Sequence, residues 1–324
     1  MAKTPISHGE KVAKGKQIQS LLAGVTDDIS RLDLPALKAL APALVAAERE
    51  VEKRLAAWLS SHPDGNERFT AHKLREVLLQ LRKAQETINQ LQPALLQGLQ
   101  AGGKVAAELA TAHVQQELAA LSSMFGGEFQ RIPIQAAAVV ARGDRMLLPR
   151  YQNSVKRWGT GLIDDMRAQL AVGVVQRESF YQMTSRISRL TGAKLNGPPN
   201  AATMSSALFT RYRYQAERIV RTEMINTYNV MAEESINEAH AEEGGEELLL
   251  RWDASLDKRV CLVCRDLHGK TKKPGKEFPG GYGAPPAHPN CRCAVVAWHP
   301  SWDDDLLDQQ VAQKVPKPKP LPKV

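Results

Sequence analysis

The chain has 324 residues, 43% of them hydrophobic and only 5% aromatic, with a formal net charge of +8. The length suggests about two domains with room for a sizeable core, and the Ala-, Leu-, Gln- and Glu-rich balance favours helices. No apolar run is long enough to span a bilayer or to build a signal peptide, so the expectation is a soluble protein of a reducing cytoplasm, where a Cys-x-x-Cys pair is a metal or redox element rather than a structural disulfide.

Residues 1–32 contain Lys3, Lys11, Lys14 and Lys16 and read as a basic, flexible segment. Such a run attracts nucleic acid or another polyanion, although a solvated tail is its commoner meaning. Leu37, Leu40, Leu44, Val51, Leu55 and Trp58 keep helical spacing and predict a helix over about 33–61, ended by "SHPDGNE". Leu74, Val77, Leu81, Ala84, Ile88, Leu91 and Leu95 then alternate steps of three and four, the seam of helices lying along one another. Pro93 should end or kink that helix, and "QAGGK" should form a turn. Val105, Leu109, Val114, Leu118 and Leu121 predict a third helix. Residues 33–130 are expected to be a helical hairpin or bundle.

"FGGEFQRIPIQ" reads as a domain boundary. Residues 136–194 should be helical again, with one helix after Pro149 and another starting near Glu178. The tripeptide Arg142-Gly143-Asp144 has an adhesion association for which a cytoplasmic protein has no use. A long helix is predicted from about Ala207 to Ala241, with Ala216, Val220, Met224, Tyr228 and Met231 as its apolar stripe. Thr222, Asn226, Asn229 and Glu233, spaced by four, three and four, share another face flanked by Arg221 and Glu223. On spacing alone that face is either solvated or bonded to a neighbouring loop or ligand. "ELLLRWDAS" and "CAVVAWHP" then predict two antiparallel strands. The long Gly/Pro-rich loop between them is entropically costly and should be pinned. Residues 303–324 read as an acidic turn followed by a Pro/Lys-rich flexible tail with Lys314, Lys317, Lys319 and Lys323.

That loop holds every cysteine of the chain: Cys261-x-x-Cys264, then His288-x-x-Cys291-x-Cys293. A Cys-x-x-Cys turn presents two thiolates to one ion, and a second short pair completes a tetrahedron. Thiolates select zinc over magnesium or calcium. Five candidate ligands compete for four places: all four cysteines, or His288 in place of Cys291 or Cys293. A closed shell of S and N would make the zinc structural.

The competing chemistries fit less well. A redox Cys-x-x-Cys should open a helix in a βαβ unit, whereas this one follows a strand and faces a Gly/Pro loop. Nucleobase deaminases use His-x-Glu followed by Pro-Cys-x-x-Cys. His240, Glu242, Cys261 and Cys264 approximate that pattern, but Val260 stands at the proline position and His288, Cys291 and Cys293 would be idle. A metal nuclease lacks its second histidine. There is no Walker loop, Rossmann fingerprint or serine elbow. A nucleic-acid-binding zinc module remains a further alternative.

"RWDASLDKRVCLVC", "LHGK" and "PPAHPNCRC" resemble the C-terminal signature of the Mu F-like minor head proteins of tailed bacteriophages. The matching residues are Trp252, Asp257, Arg259, Cys261, Cys264, Gly269, Lys270, Pro285, Pro286, His288, Pro289, Cys291, Arg292 and Cys293. "RIVRTEMINTYN" resembles the family's Arg-Thr-Glu helix through Arg221, Thr222, Glu223 and Asn229. The resemblance covers roughly residues 140–300 and none of the first 130.

The residue patterns give a mainly α protein, a helical N-terminal bundle plus an α+β domain over 136–302 with a zinc-pinned β-hairpin at 247–299, and the resemblance agrees with its C-terminal part. The resemblance implies a non-enzymatic minor head protein acting in head morphogenesis at the portal, located in the virion head and in the host cytoplasm during assembly. The partners implied are portal, capsid and scaffold subunits and no membrane, with packaged DNA reached through the basic tails. It also implies that the polar cluster of Arg221, Thr222, Glu223, Asn226, Asn229 and Arg292 packs near the hairpin. Arg292 would then pair with Glu223, and Asn229 would satisfy loop backbone groups.

Overall fold

The computed structural model describes residues 8–125, 136–195, 197–242, 248–257 and 259–300. The expected boundary between about 130 and 136 falls almost entirely outside those residues, and the expected C-terminal tail does so completely. The elements are α1 (His8–Ile29), α2 (Leu34–Ser60), α3 (Ala71–Lys83), α4 (Gln85–Asn89), α5 (Leu91–Phe125), α6 (Ala136–Val175), α7 (Phe180–Thr191), α8 (Ala201–Glu242), β1 (Leu249–Asp253), α9 (Leu262–Leu267), β2 (Thr271–Lys272) and β3 (Ala294–Trp298). The protein is mainly helical with one small antiparallel sheet near its C-terminal end, as its composition and its two apolar runs predicted. No described helix is long and apolar enough to cross a membrane.

The chain packs as two compact units, each discontinuous in sequence. Among the described residues, one draws on 34–101 and 148–220, and the other on 8–33, 102–147 and 221–300.

In the first unit, α2 buries the predicted stripe of Leu40, Leu44, Val51, Leu55 and Trp58. The Trp58 ring lies against Phe69 and Phe180. Helix α3 starts at Thr70, whose hydroxyl accepts from Lys73 N at 3.3 Å. Helix α7 starts in a reciprocal capping box between Ser179 and Gln182 and ends at Gly192, which takes the left-handed conformation at φ 73°. Arg186 joins it to α6, donating to both Glu178 oxygens at 2.9 and 3.0 Å and to Gln169 Oε1 at 2.8 Å. Trp158 stacks on Tyr212 with ring centroids 4.1 Å apart.

Several local expectations change. The heptad seam is buried at Val77, Leu81, Ala84, Ile88, Leu91 and Leu95, but it is divided among α3, α4 and α5. Pro93 does not end a helix. It is the third residue of α5, where its missing N–H has no intrahelical acceptor to lose. "QAGGK" is not a turn either, since α5 runs straight through it. Each helical glycine costs about 1 kcal/mol relative to alanine, which burial of Leu95, Leu99, Ala106 and Ala110 on either side outweighs. A glycine is required one turn earlier: a Cβ on Gly98 would lie 2.8 Å from the Ala36 carbonyl oxygen of α2. Pro149 lies inside α6 rather than before it, and buried Tyr151, Val155 and Trp158 hold the helix together beyond it. Helix α8 begins six residues before Ala207, at Ala201. Asn200 caps it, its Oδ1 accepting from Thr203 N at 2.9 Å.

In the second unit the strand order is β2-β1-β3, all antiparallel. Strand β1 runs against β3 with Leu249 opposite Trp298 and Asp253 opposite Ala294. The third strand, β2, was not foreseen; it places Lys272 opposite Leu250. Strand β3 is buried throughout, and β1 is buried from Leu250 to Asp253. Arg251 is buried in the sheet, its guanidinium 4.0 Å from the Trp298 ring centroid. The basic segment expected to be flexible is helical over His8–Ile29. Val25, Ile29 and Leu32, an i, i+4, i+7 stripe, are buried, so the lysine run masked an amphipathic helix end.

Candidate metal centre

The loop between β1 and β3 is held by its backbone before any metal is considered. Cys261 caps α9, its sulfur accepting from Cys264 N at 3.3 Å. The Cys-x-x-Cys pair therefore does open a short helix, contrary to expectation, although the surrounding sheet is antiparallel rather than βαβ. The chain then turns through Gly269 at φ 78°. Gly269 N donates to Trp252 O, and Trp252 N donates to Lys270 O, both at 2.9 Å, bringing the loop back along β1. A tight turn follows, in which Phe278 N donates to Tyr282 O at 2.6 Å and Gly280 and Gly281 both have positive φ. Phe278 and Tyr282 pack edge-on against Trp252. Asn290, at φ 61°, redirects the chain into the second cysteine pair.

These turns gather all five predicted side chains into one cluster that can hold a metal ion. It consists of two overlapping groups, Cys261–Cys264–His288 and Cys264–Cys291–Cys293, with the ligand atoms in each group within 4.8 Å of one another. Cys264 is common to both. His288 Nε2 lies 3.1 Å from Cys261 Sγ and 3.2 Å from Cys264 Sγ. Cys264 Sγ and Cys291 Sγ are 3.7 Å apart, close to the roughly 3.8 Å edge of a tetrahedron with ~2.3 Å metal–sulfur bonds. His288 Nδ1 lies 2.9 Å from Pro289 O. A carbonyl can only accept, so Nδ1 carries the proton and the Nε2 lone pair faces the sulfurs. That is the tautomer a metal needs, fixed by an outer hydrogen bond. Hydrogen bonds to Cys291 and Cys293 push the Cys264 thiol up, while bonds from Cys264 and Cys293 pull the Cys291 thiol down.

The predicted polar face of α8 meets this loop. Thr222 Oγ1 accepts from Asn290 N at 3.1 Å. Asn229 is fully buried and spans the base of the hairpin, donating to Cys293 O at 3.0 Å and accepting from Val295 N at 2.6 Å. Glu233 binds Lys272, whose ammonium also donates to Gly283 O. Asn226 lies half-buried on the same helix. Two members behave differently from the expectation. Arg221 pairs with Asp33 at 2.9 Å. Arg292 pairs with Asp257 in a two-pronged contact rather than with Glu223. Asp257 has its own loop N–H partner, Arg259 N at 2.8 Å, and is therefore already aimed at Arg292. The Arg292 hydrogen bonds hold the Asp257 carboxyl well below the usual carboxylate range. Glu223 is buried within α8. His240 belongs to neither group of the cluster, and Glu242 is the last residue of α8.

Asn229→Ala is expected to destabilise the hairpin by about 2–5 kcal/mol, because a buried N–H and a buried carbonyl lose their partner at once. Urea unfolding followed by Trp fluorescence measures this; a change below about 1 kcal/mol contradicts the role given to Asn229.

A second polar cluster in the same unit was not foreseen. Glu117 Oε2 accepts from Ala297 N at 2.8 Å, while Oε1 is buried without a hydrogen-bond partner. Burial raises the Glu117 carboxyl to about 8 and that of Asp253 to about 7. His113, four residues before Glu117, bonds Tyr228 Oη at 2.8 Å and Asp28 at 3.1 Å, and burial lowers its pKa. The available signal was a His and a Glu at i, i+4 inside the apolar run around Val114 and Leu118.

Residues 164–296 match the family model described as Phage Mu protein F like protein. No curated protein and no solved structure gives a significant match to the chain. The matched region begins late in α6 and ends within β3. It contains all five members of the Cys/His cluster, the α8 residues that hold the loop, and the Asp257–Arg292 pair. The cysteine loop, the helix face that carries it and most of the strands that frame it thus lie in the stretch, residues 164–296, that is similar to the Phage Mu protein F like family.

Proposed function

We propose that this protein is a non-enzymatic minor head protein of a tailed bacteriophage or prophage, acting in head morphogenesis at the portal. It would reside in the virion head, and in the host cytoplasm while heads assemble. The observation that carries this reading is the family match over residues 164–296, which takes in the polar face of α8 and the whole metal-capable loop together. In this account the loop is a fixed binding element. Its partners are portal, capsid and scaffold subunits.

The ion would be zinc, which the thiolate-rich set selects. The ligands are Cys261, Cys264, His288 and Cys291, because His288 has the required tautomer and Cys264 and Cys291 stand a tetrahedral edge apart. Cys293, buried and with its sulfur within 4.8 Å of those of Cys264 and Cys291, is the member left out of this set. Four protein ligands leave no open position, so the zinc serves as a cross-link. Cys293→Ser should therefore retain about one zinc per chain, and Cys291→Ser should lose it.

Co-expression of the tagged full chain with the portal protein encoded alongside it tests the assembly reading. The expected result is co-purification with portal rings in a few copies per ring. Failure to associate with portal, capsid or scaffold subunits overturns it.

A further inference from the structure

The positive charge of this protein is not spread evenly over its two units. Residues 34–101 and 148–220 hold 20 Lys and Arg against 11 Asp and Glu, a net charge of +9. The rest of the chain, both lysine-bearing ends included, holds 23 against 24, a net charge of −1. Within the basic unit, residues 148–220 alone carry 11 basic and 4 acidic side chains. The overall excess therefore originates in this unit rather than in the lysine-bearing ends.

Much of that charge lies on exposed helix surface. On α8, Arg211, Tyr214 and Arg218 occupy positions i, i+3 and i+7, which fall within one narrow face, and all three are exposed. Tyr214 is 57% exposed, unusual for an aromatic side chain. On α6, exposed Arg150 and Arg157 are likewise seven apart, and exposed Lys156 and Arg167 are eleven apart. Exposed Arg189 lies near the end of α7 and exposed Lys194 just beyond it. The three helices meet around a cleft of about 260 Å³ lined by Met166 and Gln169 of α6, Leu190 and Thr191 of α7, and Arg211 and Tyr212 of α8. Of the four acids in the stretch, Glu178 is held by Arg186 and Asp165 lines the cleft, while Asp164 and Glu217 are exposed and leave the eleven basic side chains in clear excess.

We propose that this face of the basic unit, centred on Arg211, Tyr214 and Arg218, binds the phosphate backbone of double-stranded DNA. A strong local excess of arginine gives sequence-independent attraction to a regular polyanion. Arginine suits phosphate better than lysine does, because its planar fork can donate two bonds to one group. An exposed tyrosine between two arginines adds a flat group and a hydroxyl donor to the same strip. The inference rests on charge and exposure within one unit and is independent of the portal reading.

The test uses the full chain and a fluorescently labelled duplex of about 30 base pairs, with anisotropy followed across a salt series. Binding is expected at low salt, with log affinity falling linearly against log salt. Arg211→Gln/Arg218→Gln should weaken binding more than about tenfold at roughly 50 mM salt and reduce the slope by about 2, close to one for each phosphate that is no longer neutralised. Tyr214→Ala should weaken binding without changing the slope. Substituting glutamine at Lys314, Lys317, Lys319 and Lys323 should change affinity less than about threefold. Since Arg211 and Arg218 are exposed, an unchanged circular dichroism melt shows that the double variant is folded. No duplex binding at low salt overturns the proposal, as does binding lost with the tail lysines and kept without the two arginines. Binding of an acidic polypeptide in place of DNA overturns it as well.

Discussion

Cys264→Ser is expected to release the metal and melt the loop between β1 and β3, while α2, α3 and α7 stay folded. Cys264 is the member common to both ligand groups and is buried, so its substitution removes a sulfur from each of them at once. Structural zinc of this kind contributes on the order of 10 kcal/mol to the fold it closes. Without it, the loop retains its turns, the Asp257–Arg292 pair and the α8 contacts, each worth about 1–3 kcal/mol. Those do not offset the entropy of ordering so many residues, at roughly 1–2 kcal/mol each. Chelator treatment of the unchanged chain should give the same state. Hydrogen exchange measures both: protection over 254–293 should collapse, and protection over 34–101 should persist. Full protection of the loop in Cys264→Ser contradicts the pinned-loop account.

Glu117→Gln is expected to stabilise the protein at alkaline pH and to flatten its pH dependence. The Glu117 carboxyl is raised from 4.5 to about 8 by burial, against the opposing Ala297 N–H and with a further push from Asp253. The fold thus favours the protonated acid. Its contribution is fully present below pH ~4.5 and is lost as pH rises through about 8. A shift of that size corresponds to something on the order of 5 kcal/mol in all, of which about 2 kcal/mol falls between about pH 6.5 and 8.5. Asp253, raised to about 7 mainly by burial, loses stability in the same direction. His113 acts in the opposite sense but below its ordinary value of 6.5, because burial favours its neutral form, and so it stays out of this window. Glutamine keeps the oxygen that accepts from Ala297 N and cannot ionise. Urea unfolding at about pH 6.5 and 8.5 should show the natural chain losing stability with rising pH and the variant losing clearly less. An unchanged slope in the variant contradicts this reading of the buried cluster.

Much of the domain that carries the family match was legible in the sequence because its signals are short-range. The spacing of Cys261, Cys264, His288, Cys291 and Cys293 announced a cluster, and the apolar runs around Trp252 and Val296 announced the strands that frame it. The polar face of α8 was readable as a face, and Thr222, Asn229 and Glu233 all turn it toward the loop. What faced what was less legible. Arg292 had two acids of suitable type available, and only the turn at Asp257 decides between them. The helix through Gly102 and Gly103 was hidden because local propensity argues against it and tertiary burial overrides propensity. The Glu117 cluster joins residues far apart in sequence, so the His113–Glu117 spacing marked one helix face but not the partners that Asp28, Tyr228, Asp253 and Ala297 supply. The charge asymmetry became visible only once the two units had been delimited, because each of them is assembled from separated stretches of chain.

The most direct test of the central claim is zinc-edge X-ray absorption on the full chain purified without chelator. The account predicts one zinc with three sulfur ligands at ~2.3 Å and one nitrogen at ~2.0–2.1 Å, assigned to Cys261, Cys264, Cys291 and His288. A shell with an oxygen and only two sulfurs, or a protein without bound zinc, would contradict it.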